Sequence, residues 1–175
     1  KISSATSNKD TFDIGAAIIN CCDIVVNNIN EEFSKYDFDG AVINVQVGLQ
    51  LSETVEYLQK GVFYIDEATT SGGVITITAY DGMRKLDNDY NESNLTYPAT
   101  INQIVAEICQ RRNIVLDSPD MEMGSFRVKR RPENKTDRQM IAYVAQIMGC
   151  YATFSTWDRL SFRWYDTSVF GHDLD

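Results

Sequence analysis

Apolar and polar residues alternate from Ile43 to Leu49, with Ile43, Val45, Val47 and Leu49 set against Asn44, Gln46 and Gly48. A period of two predicts a half-buried strand. Gly61–Glu67 and Val74–Tyr80 are rich in β-branched and aromatic residues, and the Ala68–Gly73 link is turn-like, so the pair reads as a β-hairpin. Phe12–Asn27 reads as two strand pieces, because Gly15, Ile24, Val25 and Val26 all disfavour a helix. Short helical turns are expected at Asn30–Tyr36 and Asp81–Leu86. Roughly six strands with few helices cannot bury both faces as an open sheet, so a small β-barrel or a two-layer sandwich is the expected closure.

The pattern changes further along. Thr100 is followed three positions later by Gln103, a capping box, and Ile101, Ile104, Val105, Ile108 and Cys109 then recur at helical spacing. Arg111 and Arg112 fall in the last turn, opposite the negative end of the helix dipole. Thr136 and Gln139 form a second box, Ile141, Val144, Ala145 and Met148 its apolar stripe, and Gly149 its stop. Cys150, Ala152 and Phe154, then Leu160, Phe162 and Trp164, alternate with polar positions around the loop Ser155–Arg159, which predicts a hairpin covering the two helices. The expected fold class is therefore α+β: a β-barrel over 1–92, a smaller domain of two helices and a β-hairpin over 93–168, and a flexible tail over 169–175.

Charge narrows the function classes. The chain of 175 residues has a formal net charge of −9, and residues 1–90 alone carry −8, which disfavours a grip on nucleic-acid phosphates. No run of about 18 apolar residues predicts a membrane span. No signal peptide is visible, and the chain starts at Lys1, as a piece of a longer protein would. Cys21, Cys22, Cys109 and Cys150 lack a CxxC spacing and read as buried small hydrophobes. His172 is the only histidine, too few for a metallopeptidase set and poorly placed for a nucleophile's base, so the chain reads as non-enzymatic, with no metal or cofactor. Tyr36–Gly40 lacks the spaced acids of a calcium loop and reads as a tight turn. The aromatics Tyr143, Tyr151, Trp157, Trp164 and Tyr165 are candidates for core, rim or a pocket lining. One basic patch stands out: Arg127, Lys129, Arg130, Arg131 and Lys135, followed by Arg138, form either a solvated loop or a contact for an acidic partner such as the first half of a neighbouring subunit.

Several stretches occur in a telling order: FDIGAAI (Phe12–Ile18), DFDGA (Asp37–Ala41), GVFYIDE (Gly61–Glu67), ITITAYDGMRKL (Ile75–Leu86), TYPAT (Thr96–Thr100) and RQMIAYVAQIMGCYA (Arg138–Ala152). Together they resemble the N-terminal part of prophage tail proteins of Gram-positive bacteria. These are related to the baseplate hub proteins of contractile phages, the late control gene D group. The resemblance implies a structural protein of the virion tail, assembled in the bacterial cytoplasm as part of a trimeric hub. In such hubs each subunit presents two tube-like β-barrels to the tail tube, with smaller domains outside. It implies that residues 1–92 are the tube-like barrel and 93–168 the peripheral domain. The implied partners are the tail tube protein, other tail-tip proteins and further copies of the chain, with no nucleic acid and no membrane. This chain is too short for a second barrel, so three copies would present three barrels. Two other readings are the N-terminal part of a tail-associated cell-wall hydrolase whose catalytic domain lies elsewhere, and a carbohydrate-binding barrel module.

Overall fold

The structure, a computed structural model, describes residues 14–119 and 121–164 and the backbone of residues 3–6. Phe12, Tyr165, His172 and the expected tail 169–175 lie outside the described residues. The first half is one antiparallel sheet of five strands: β1 (Ser3–Thr6), β2 (Asn20–Asn27), β3 (Val42–Leu51), β4 (Thr54–Ser71) and β5 (Val74–Tyr80), in the order β1-β2-β5-β4-β3. The turn between β4 and β5 is only Gly72-Gly73, both at positive φ (58° and 78°), as a two-residue hairpin turn demands. Ala68–Ser71, expected as loop, instead pair with Val74–Ile77 and lengthen the strand.

β4 runs for 18 residues and bends twice. The register skips Lys60 against β3 and Asp66 against β5, so each is a bulge residue. The Asp66 bulge aims its carboxylate at Arg84, 2.6 Å away. One face of the sheet buries Cys22, Val45, Phe63, Ile65, Ile75, Ile77 and Ala79. The segment 28–41 lies over this face through Phe38 and Ala41. It is a chain of turns, not the helical turn expected at 30–36. Asn28 organises it, accepting from Phe33 N at 2.9 Å and donating to Ser34 Oγ at 3.1 Å. The Asp37–Gly40 turn is as expected: Asp37 Oδ1 accepts from Asp39 N at 3.0 Å and Gly40 takes φ +65°.

Among the described residues no ladder joins the edge strands β1 and β3, so the sheet is open there rather than a closed barrel. Phe38 and Ala41 pack against the central strands on its buried face.

The second half contains β6 (Ala99–Thr100), α1 (Ile101–Arg111), β7 (Val115–Leu116), β8 (Arg127–Val128), α2 (Asp137–Met148), β9 (Tyr151–Phe154) and β10 (Arg159–Arg163). Both capping boxes form: Gln103 N donates to Thr100 Oγ1, Gln139 N donates to Thr136 Oγ1, both at 3.2 Å, and each glutamine side chain accepts from its cap backbone. Gly149 ends α2 at φ +71°. The apolar stripes of both helices meet Met83 and Leu86 of a short 3-10 helix (Gly82–Leu86), Tyr90, Ala99, Ala152, Phe154 and Leu160. Ala17 and Ile19 join this core too, because Gly15 N donates to Cys150 O, Ile18 N to Ala152 O and Ala152 N to Ala16 O, at 2.8–2.9 Å. The second core therefore draws on residues from both sides of position 92.

One ion cluster holds this unit. Asp137, the first residue of α2, is fully buried. It accepts from Arg111 Nη1 (3.0 Å), Arg111 Nη2 (2.7 Å) and Arg112 Nε (2.7 Å), while Arg111 also grips Glu107 and Arg112 pairs with Glu92. Removing one member of such a set strands the others, at a cost of about 3 kcal/mol or more. Asp137→Ala is therefore expected to lower unfolding free energy by that order in urea titration, whereas Glu107→Ala, at the wetter side, is expected to cost about 1 kcal/mol or less.

Candidate interaction surface

The alternation of β3 continues unbroken from Ile43 to Leu51, so Ile43, Val45, Val47, Leu49 and Leu51 share one face. Beyond the Lys60 bulge, the register sets Leu58 opposite Val47, Glu56 opposite Leu49 and Thr54 opposite Leu51. This is the core face of the sheet, and it runs out of cover. Val45 is 6% exposed, but Val47 is 50%, Leu49 62% and Leu58 61% exposed. On the opposite face of the hairpin Val55 and Tyr57 are exposed as well, and Tyr57 lies against Gly48, where an added Cβ would come within 3.1 Å of its ring. β3 is also an edge strand, and its sequence VINVQVGLQL carries neither charge nor proline. Sheet edges normally carry such guards, and contiguous exposed apolar patches mark contact sites. The hairpin is thus a bare sheet end suited to a protein partner.

The structure divides the predicted basic patch. Arg131 is internal: its Nη2 donates to Tyr90 O at 2.9 Å and its guanidinium lies over the Tyr90 ring. Lys135 sits over the Tyr143 ring. Arg138 donates to Ala17 O. Arg127, Lys129 and Arg130 are exposed, and their side chains make no ion pair or hydrogen bond among the described residues. The aromatics do not gather either. Trp157 sits exposed at the β9–β10 turn, Tyr143 underlies Lys135, and Trp164 lines a groove of about 490 Å³ with Met121, Met148 and Phe162.

Polar groups concentrate where the two cores meet. Asp81 caps the 3-10 helix, accepting from Met83 N (3.0 Å), Asn20 N (3.1 Å) and Asn20 Nδ2 (2.6 Å). Burial pushes its carboxyl up to about 6 despite these donors, and Asp158 adds to the rise. Tyr64 donates to Asp158, and Lys85 Nζ donates to Tyr64 OH at 2.6 Å. Burial first, then Asp158, raises the Tyr64 phenol well above its usual value. All four cysteines are free and buried, and burial lifts Cys21, Cys109 and Cys150 to about 11, away from thiolate chemistry. No group of three or more His, Cys, Asp or Glu is placed to hold a metal ion among the described residues. Among the described residues no helix is long and apolar enough to cross a membrane.

The fold is similar to that of a prophage tail protein. The solved structure is the 43 kDa tail protein of prophage MuSo2 from Shewanella oneidensis, matched at TM-score 0.53 and 17% sequence identity over 88% of this chain. The chain spans about half of that protein, 49% of its length. No family model matches the chain, and no curated protein sequence matches it.

Two measurements probe this geometry. Val47→Thr, Leu49→Thr and Leu58→Thr are each expected to leave stability within about 0.5 kcal/mol, whereas Ile77→Ala, in the same sheet, is expected to cost about 2–4 kcal/mol. Equal losses in chemical denaturation would mean that the hairpin row is core after all. Asp81 gives the pH dependence. Its proton is held more tightly in the folded state, so its contribution is fully present below about pH 4 and lost as pH rises through about 6. Relative to Asp81→Asn, the wild type is expected to lose on the order of 2 kcal/mol between pH 4 and 7. Parallel profiles for the two proteins would rule this out.

Proposed function

We propose that the chain is a structural, non-enzymatic component of a phage or prophage tail tip, of the baseplate-hub kind, acting in the virion tail. The observation that carries this reading is the similarity of fold to the MuSo2 tail protein over most of the chain. The ordered stretches that resemble the tail-hub group support it from the sequence side. In this reading the five-stranded sheet belongs to a tube-like barrel completed in the assembled tail, and the helical unit is peripheral. Docking to the tail tube protein and to other tail-tip proteins is geometric. Bare strand edges and apolar rows meet complementary surfaces, and no bond is made or broken.

Co-expression with the tail tube protein of the same phage tests the reading. A stable complex on size exclusion is expected, weakened by Leu49→Glu. Absence of any complex at high concentration, or lysis of peptidoglycan by the purified chain in a zymogram, would overturn it.

A further inference from the structure

We propose that the groove of about 490 Å³ at the end of α2, beside β10, binds an oligosaccharide built of N-acetylated hexoses. The site lies in the helical unit, not on the five-stranded sheet, and it stands apart from the tail-tip reading.

Three observations lead there. The groove begins where a sheet edge is left open. Ser155 N donates to Arg159 O, so Arg159, Ser161 and Arg163 turn their backbone groups to β9. Ala152, opposite Phe162, turns the other way: its N–H donates to Ala16 O and its C=O accepts from Ile18 N, at 2.8–2.9 Å. Phe162 therefore points its own N–H and C=O to the β7 side. There β7 has ended, and Asp117 N on Leu160 O, at 2.9 Å, is the last bond. The next parallel bond, to Phe162 O, would need an N–H from Pro119, which has none. Phe162 N–H and C=O thus border the groove without a backbone partner among the described residues.

The second observation is the apolar side. Leu160, Phe162 and Trp164 alternate onto one face, and exposure rises along the row from none at Leu160 to 49% at Trp164. Met121, Met148 and Phe162 pack on the second core, so the floor is held from beneath. The third is the polar side. Asp117 Oδ2 accepts from Ser161 Oγ at 2.7 Å and lies 3.6 Å from Arg163 Nη2. This half-exposed pair offers acceptors and donors together. Sugar hydroxyls need both, and the flat face of a pyranose needs a ring plane such as indole. An acetamido group needs an N–H for its carbonyl and an apolar niche for its methyl. Trp164, the Asp117–Arg163 pair, Phe162 N–H and the two methionines bring these needs together in one groove. A peptide strand suits it less, because Phe162 alone gives such a strand only two backbone bonds.

Trp164 reports on its own site. The chain has two tryptophans, and Trp157 is exposed at the β9–β10 turn, so Trp157→Phe leaves Trp164 as the only indole. In that variant triacetylchitotriose is expected to shift the emission saturably, with half-saturation below about 1 mM. Cellotriose, which has hydroxyls in place of the acetamido groups, is expected to bind roughly tenfold more weakly or worse. Calorimetry on the wild type is expected to give the same affinity for triacetylchitotriose, weakened roughly tenfold or more by Trp164→Ala and by Asp117→Ala. Both positions are exposed, and an unchanged thermal melt confirms that the variants fold. No saturable shift, equal affinity for cellotriose, or binding that survives Trp164→Ala unchanged would overturn the inference. So would a short peptide of alternating valine and threonine that binds more tightly than the sugar. None of these outcomes bears on capture of the tail tube protein, so failure of this site and failure of the tail reading are told apart.

Discussion

The Asp137 carboxylate settles two helix ends with one charge. It stands at the first turn of α2, where the exposed N–H groups favour an anion, and its partners Arg111 and Arg112 stand at the end of α1, where the unpaired carbonyls favour cations. A fully buried carboxylate is costly unless every oxygen is satisfied, and here three N–H donors converge on it. The same residue donates its backbone N–H to Asn88 O, and Arg112 reaches Glu92, so the stretch between the two halves is tied to the helices as well. Tyr90, fully buried, is then held under Arg131 with its hydroxyl 2.8 Å from that of Tyr97.

That anchored unit gives the sheet its footing. Tyr64 of β4, Lys85 of the 3-10 helix and Asp158 of the last hairpin meet at the joint, and Asp81 links Asn20 of β2 to the same 3-10 helix. The central strands are thereby fixed at one end against a rigid body, while the far end of β3 and β4 projects with its apolar row uncovered. The sheet thus has a fixed base and a bare tip.

Elements whose signals are local were legible in the sequence. Both helices were marked by capping boxes and by an apolar stripe, and β9–β10 by a clean period of two. Residues 54–60 were not read as strand, because the Lys60 bulge breaks the alternation and sets apolar Tyr57 and Leu58 side by side on opposite exposed faces. The cover of the sheet was hidden too. The segment 28–41 shields a core with two small contacts and no periodic pattern. The basic patch was visible as a run, but nothing local distinguishes Arg131, committed to Tyr90, from Arg130, which faces water. The burial of Asp81 depends on Asn20, which is distant in sequence, and so left no local mark.

The pairing of residues 15–18 with β9 sets an order on synthesis. The sheet from β2 to β5 can form as soon as its last strand has left the ribosome, since its partners are near in sequence. Ala17 and Ile19 cannot be covered then, because Ala152, α2 and β10 are still to be made. During that interval the nascent chain exposes two sticky regions: the segment waiting for β9 and the hairpin row. Only the first is covered when the chain's own later residues emerge. Translation thus separates the two in time, and the hairpin row is the one that the chain's own later residues leave bare.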